Sequence, residues 1–139
     1  MDNSRISVLI KTASIEFDKI SNPILSEYGL TASQCRVLKF LYSRQNVPSR
    51  VVDIEKECAV THPTVLGLLE GLEKKGFVSR IANPKDARSK LITLTEKANA
   101  MQSELDAVIE HTDDMLTENL SAEERLQLAA LLKKLLRQA

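Results

Sequence analysis

Two short runs rich in β-branched residues, Phe77-Val78-Ser79-Arg80-Ile81-Ala82 and Lys90-Leu91-Ile92-Thr93-Leu94, stand in a chain whose other segments carry helical spacing. They follow directly on Gly76, a residue suited to stopping a helix, and read as two strands. Between them lies Asn83-Pro84-Lys85-Asp86-Ala87-Arg88-Ser89, a polar and basic loop. It is longer than the roughly two to five residues usual in a hairpin. A basic loop projecting from a small hairpin, directly after a helix, is placed to touch a partner.

The helices are legible from spacing and end signals. Ile6, Leu9, Ile10, Ala13, Phe17, Ile20 and Ile24 recur three and four apart, predicting an amphipathic helix from about Ser4 to Tyr28. Pro23 inside it is expected to kink or interrupt the helix near Lys19–Asn22, and Gly29 suits the left-handed position that ends it. Thr31-Ala32-Ser33-Gln34 has the form of a capping box and opens a second helix, with Val37, Leu38, Phe40 and Leu41 apolar. Pro48-Ser49 introduces a short third helix, Arg50 to Cys58, with Val51, Val52 and Ile54 expected inward. Ala59-Val60-Thr61-His62 is a tight connection to a fourth helix that runs to about Lys75. Pro63 is tolerated in its first turn, and Val65, Leu68, Leu69 and Leu72 form its apolar stripe. Beyond the strands, Thr95 caps a long fifth helix, Glu96 to about Asn119. A second capping box, Ser121-Ala122-Glu123-Glu124, opens a last helix bearing Leu128, Leu131, Leu132, Leu135 and Leu136.

A length of 139 residues implies one domain with a real core. The 43% hydrophobic and 27% charged content is ordinary for a soluble globular protein. No run approaches the roughly 20 apolar residues of a membrane span, and Met1-Asp2-Asn3-Ser4-Arg5 lacks the features of a signal peptide. With only Cys35 and Cys58, no disulfide framework is expected and a cytoplasmic setting is the simplest. The formal charge is zero, yet unevenly spread. Residues 61–97 hold seven Lys or Arg against four Asp or Glu, and residues 101–139 hold four against eight. A basic middle points to an anionic partner on that side.

Short helix, tight turn, second helix and hairpin is the order of a winged helix-turn-helix, giving a mainly α (α+β) class with a two-stranded wing. The second helix of such a unit docks in the major groove of DNA. Thr61, His62 and Thr64 lie at its N-terminus, where unpaired N–H groups favour phosphates. Lys74, Lys75, Arg80 and Lys85 are placed to neutralise backbone charge.

Three stretches in this order, Leu30-Thr31-Ala32-Ser33-Gln34-Cys35-Arg36-Val37-Leu38, the run from Pro63 to Val78, and Asp86-Ala87-Arg88-Ser89-Lys90-Leu91 with Leu94-Thr95-Glu96, resemble the MarR family of prokaryotic transcriptional regulators. The resemblance spans nearly the whole chain. It implies an obligate homodimer built from residues 1–29 and 96–139, flanking a DNA-binding lobe over 30–95. It further implies a repressor on a pseudo-palindromic operator, cytoplasmic and nucleoid-associated when bound, released by a small aromatic ligand or by cysteine oxidation. No cofactor, metal or membrane partner is implied. Carried onto these positions, Thr61 to Lys75 is the recognition helix, with Thr61, His62, Pro63, Thr64, Leu66, Gly67, Lys74 and Lys75 toward DNA. The wing supplies Arg80, Lys85, Asp86, Arg88 and Lys90, with Arg88 entering the minor groove and Asp86 holding it in position. Many members carry Arg where this chain has Gly67 and Gly71, which shifts readout toward His62, Thr64 and DNA shape.

Each residue also has a plainer reading. Arg88 can be a solvated loop residue, Asp86 a turn former and His62 a helix-start residue. Cys58 and His62 straddle a turn without further ligands nearby, so no metal is expected. Cys35 reads as a small buried hydrophobe, against redox sensing, and His111 as a surface or interface histidine. Tyr28 and Tyr42 read as packing residues or as the lining of a ligand crevice. The leucine face of the last helix is internal core or a dimer seam. The zero net charge leaves a winged-helix module that binds only protein as an alternative to DNA. A nucleophile–base pair and a phosphate-binding glycine loop are both missing, so no enzyme is expected.

Overall fold

The computed structural model describes residues 4–138; part of the signal-peptide reading, Met1-Asp2-Asn3, lies outside them. Helix α1 spans Ile6–Ser26, α2 Ala32–Ser43, α3 Val51–Cys58 and α4 His62–Lys74. After the hairpin come α5 Glu96–Ala100, α6 Gln102–Leu116 and α7 Ala122–Leu135. The strands are β1 Ser49–Arg50, β2 Val78–Ala82 and β3 Lys90–Leu94, in the antiparallel order β1-β3-β2.

The end signals act as their chemistry requires. Thr31 Oγ1 accepts from the Gln34 N–H at 3.1 Å, and the Thr31 N–H donates to Gln34 Oε1 at 3.1 Å, closing the capping box of α2. The same reciprocal pair joins Ser121 and Glu124 at α7. Gly29 and Gly76 sit at φ +72° and +82°, the left-handed region that follows a helix C-terminus. Thr95 accepts from the Ala98 N–H to cap α5 and donates its hydroxyl to the Gly76 carbonyl at 2.6 Å, tying α5 to the end of α4.

The core lies behind α4 and the sheet. Leu38 of α2, Ile54 of α3, Leu69 and Leu72 of α4, Phe77, and Ile92 of β3 are all fully buried. They meet because α2 and α3 pack on β3 while α4 packs on both of those helices and on β2.

Four expectations need correction. Pro23 does not interrupt α1, which runs unbroken past it to Ser26. Its missing donor affects only the Lys19 carbonyl, on an exposed turn where water is available. Ser49–Arg50 is a third strand paired to Ile92 and Leu91, so α3 begins at Val51. Val52 is exposed, since it lies two residues and so roughly 200° around the helix from Ile54. The long fifth helix is divided at Met101, whose N–H is shared between the Lys97 and Ala98 carbonyls, and it ends at Leu116.

Candidate nucleic-acid interface

The turn between α3 and α4 is made by Ala59, Val60 and Thr61, with Ala59 in the left-handed region at φ +51°. The Val60 N–H returns to the Glu55 carbonyl, closing the end of α3. α4 then buries Val65, Leu69 and Leu72 toward the core. The opposite side is presented to solvent: Thr61, His62, Pro63, Thr64 and Gly67 are exposed, and Leu66 is half-buried. Thr61 Oγ1 lies 2.9 Å from Thr64 Oγ1, placing two hydroxyls side by side at the helix start. His62 Nδ1 pairs with the Glu55 carboxylate of α3, so the two helices of the motif are joined by a side-chain bond as well as by the turn.

The hairpin carries β2 and β3 in register from Val78↔Leu94 to Ala82↔Lys90. Its tip is built by side chains that bond to the loop's own backbone. Asn83 Oδ1 accepts from the Lys85 N–H at 3.0 Å, and Asn83 Nδ2 donates to Ser89 Oγ at 3.0 Å. Asp86 Oδ1 accepts from the Arg88 N–H at 3.0 Å and lies 3.6 Å from the Arg88 guanidinium. The Arg88 side chain is nonetheless 95% exposed, so the loop is fixed while the guanidinium projects from it. Lys85 and Lys90 are exposed on the same hairpin.

The remaining basic residues are less free. Lys74 faces Glu70 at 3.3 Å, and Arg80 reaches Glu73 at 3.5 Å, linking β2 to α4. Lys75 is not grouped with them: its ammonium donates to Gln34 Oε1 at 2.9 Å, on the side of α2. Gln34 thus serves both the cap of α2 and the end of α4. A Cβ at Gly71 would come within 2.7 Å of the Gln34 amide, whereas a Cβ at Gly67 meets open space.

The two glycines are therefore not equivalent. Gly67→Ala is expected to stabilise the fold by about 0.5–1 kcal/mol, the helix-propensity difference. Gly71→Ala should show no gain, because displacing Gln34 costs about 1 kcal/mol of capping and releases Lys75. Urea denaturation of both variants checks this; an equal gain at the two positions would remove Gln34 as a bracket.

Other candidate sites resolve as packing. Cys58 is buried, His62 is committed to Glu55, and no group of three potential metal ligands occurs among the described residues. Burial pushes both thiols up, with Lys39 opposing it at Cys35 and Arg36 at Cys58, so neither has thiolate character. Tyr42 packs in the core and donates its hydroxyl to the Ala98 carbonyl; burial raises its pKa to about 12. Tyr28 packs against the same core. A crevice does exist, but neither tyrosine lines it. It is a cavity of about 620 Å³ between α1, α2 and α6, bordered by Phe17, Ser21, Arg36, Lys39, Val108 and Ile109. Ser21 Oγ is buried there with no hydrogen-bond partner among the described residues.

A helix-turn-helix joined to a stiffened basic hairpin defines a winged helix-turn-helix DNA-binding protein. The sequence profile described as the MarR family matches residues 28–89. A mutant MarR from E. coli complexed with operator DNA is 31% identical, with 96% of each chain covered and a TM-score of 0.84. The S. aureus MepR–DNA complex is 29% identical over 96% of this chain and 97% of that one, with a TM-score of 0.82. BpsR of Bordetella bronchiseptica, whose DNA binding is regulated by 6-hydroxynicotinic acid, is 27% identical over 97% and 95%, with a TM-score of 0.86. The chain belongs to the MarR family and is a non-enzymatic, DNA-binding transcriptional regulator. The alternative of a winged-helix module confined to protein partners thereby loses its support. No helix among the described residues is long and apolar enough to cross a membrane.

Proposed function

We propose that this chain is a homodimeric repressor acting in a prokaryotic cytoplasm on a pseudo-palindromic operator. The observation that carries the reading is the paired presentation of the α4 N-terminus and a rigid wing tip with a projecting Arg88. In this reading α4 enters the major groove with Thr61, His62, Pro63, Thr64, Leu66 and Gly67 toward the bases. Lys74, Arg80, Lys85 and Lys90 meet phosphates, and Asp86 holds Arg88 at the adjoining minor groove. Lys75 contributes less than the other cations, because Gln34 already holds it.

The dimer reading rests on unpartnered apolar surface. α7 buries none of its residues, and Leu126, Leu128, Leu131, Leu132, Leu135 and Leu136 are exposed by 38 to 73%. Ile6, Leu9 and Ile10 of α1 are also exposed. Contiguous apolar faces of this kind mark association surfaces. They support a division in which residues 1–29 and 96–139 dimerise and residues 30–95 form the DNA lobe. A dimer covering successive major grooves roughly 34 Å apart obstructs a promoter, hence repression. Enrichment of random duplexes by the purified protein is expected to return a two-fold symmetric sequence. Recovery of asymmetric or unrelated sequences would refute the dimeric docking.

The cavity between α1, α2 and α6 supplies the effector site of this reading. Phe17, Val108 and Ile109 offer apolar walls, Ser21 Oγ a hydrogen bond unused among the described residues, and Arg36 and Lys39 positive charge, with Asp18 and the Arg125-paired Asp113 also on the border. That set suits a small aromatic acid, the chemical kind that regulates BpsR. Such a ligand releases DNA by favouring a dimer whose recognition helices are wrongly spaced. A thermal-shift screen of hydroxylated aromatic acids should yield binders that lower operator affinity and that bind more weakly to Ser21→Ala. Binders unaffected by Ser21→Ala and Phe17→Ala would place the site elsewhere.

A further inference from the structure

The carboxylate of Glu55 stands at the DNA-facing end of the helix-turn-helix, where negative charge opposes the phosphate backbone. Its partner is His62, the first residue of α4, whose side chain is 61% exposed against 22% for Glu55. Whichever form the ring takes, a histidine paired with a carboxylate brings no net positive charge, so the pair is poorly suited to phosphate and better suited to a base edge.

We infer that Glu55 positions His62 to read a base in the major groove, and that the base is recognised through its exocyclic amino group. The chemistry follows from the two ring nitrogens. A carboxylate facing Nδ1 holds the proton of the neutral imidazole there, which leaves Nε2 as a bare acceptor on the far edge of the ring. The donors displayed in the major groove are adenine N6 and cytosine N4; guanine offers only acceptors there. Glu55 thus acts through His62 as a positioning residue, fixing ring orientation and tautomer together. The adjacent Thr61 and Thr64 hydroxyls, 2.9 Å apart, can donate or accept and do not impose the same choice.

The inference rests on docking of α4 in the major groove, and its test separates the two. Wild type, His62→Ala, Glu55→Ala and the double variant are each used to enrich random duplexes at pH 8, with thermal melting to establish folding. Wild type should prefer A or C at one strand position per half-site. His62→Ala should lose that preference by about 5- to 100-fold, the discrimination of a good base contact, and keep the rest of the site. Glu55→Ala should lose it at the same position, and the double variant should lose no more than His62→Ala. Removing only the amino group, with unsubstituted purine for adenine or 2-pyrimidinone for cytosine, should weaken wild type and leave His62→Ala unchanged.

Uniform weakening on all sequences, with a shallower salt dependence, would make His62 a phosphate contact and overturn the inference. Lost preference at a guanine would overturn the acceptor assignment. Retained preference in Glu55→Ala would overturn the positioning role. Each of these leaves α4 docking intact, whereas a wild type that enriches no sequence removes both.

Discussion

Replacing Leu131 and Leu135 together by Asp is expected to split the protein into monomers and lower operator affinity by about 100-fold or more. Both side chains are more than half exposed on α7, at 64 and 51%, and neither is part of the core behind α4. Burying each leucine in a partner stabilises association by about 1.5–3 kcal/mol, and two-fold symmetry counts every contact twice. Aspartates at the seam forfeit that burial and add desolvation of unpaired charge. The DNA lobe should keep its fold, because its core draws on α2, α3, α4 and β3. Affinity falls because two tethered half-site contacts become two separate ones, a loss of about 10²–10⁴ in effective binding. Sedimentation equilibrium with a parallel binding titration checks both parts. A variant that stays dimeric would place the seam elsewhere, and a monomer with undiminished affinity would dissociate dimerisation from DNA binding.

Arg88→Ala carries the second large effect. Among the described residues the guanidinium pairs with Asp86, at 3.6 Å, and its side chain is 95% exposed, so the melting temperature should scarcely move. On DNA the same side chain is proposed to enter the minor groove, where a narrow, A·T-rich segment concentrates negative potential. A specific arginine contact of this kind contributes about 1–3 kcal/mol per half-site, hence about 2–6 kcal/mol for a symmetric dimer. That corresponds to a loss of about 30-fold or more. Asp86→Ala should give a smaller loss, since it loosens the loop by removing the bond to the Arg88 N–H but leaves the charge in place. A gel-shift titration reads both, and unchanged affinity for Arg88→Ala would return it to a solvated loop residue.

Much of this architecture was legible because its signals are local. A capping box is a contact between residues three apart, so Thr31–Gln34 and Ser121–Glu124 announce their helices. Gly76 and the β-branched runs place β2 and β3 within a residue of their observed ends. What stayed hidden depends on distant partners or on patterns too short to recur. β1 has two residues, below any period-two signal, and exists because β3 offers it an edge. The division at Met101 arises from a shared backbone donor, which side-chain spacing does not encode.

The candidate site divides along the same line. Asp86 and Arg88 are two residues apart, and the family resemblance, rather than the loop's own composition, set one to hold the other, as the bond from the Arg88 N–H to Asp86 Oδ1 does. Lys75 reads as one more cation beside Lys74, yet its partner Gln34 lies 41 residues earlier. Glu55 gave no signal toward His62, since the two meet only after the turn brings α3 against α4. The cavity and the unpartnered Ser21 hydroxyl likewise appear only when α1, α2 and α6 are assembled.

The most direct measurement is an anisotropy titration of the symmetric duplex recovered by enrichment, beside a scrambled duplex of equal length, from 50 to 200 mM salt. Two chains should bind each specific duplex, about 10³-fold or more tighter than the scrambled one. Affinity should fall steeply across that range, by about 10³-fold if six or more phosphates are contacted. Equal affinity for the two duplexes, or binding indifferent to salt, would contradict a dimer that reads DNA through α4 and its wing.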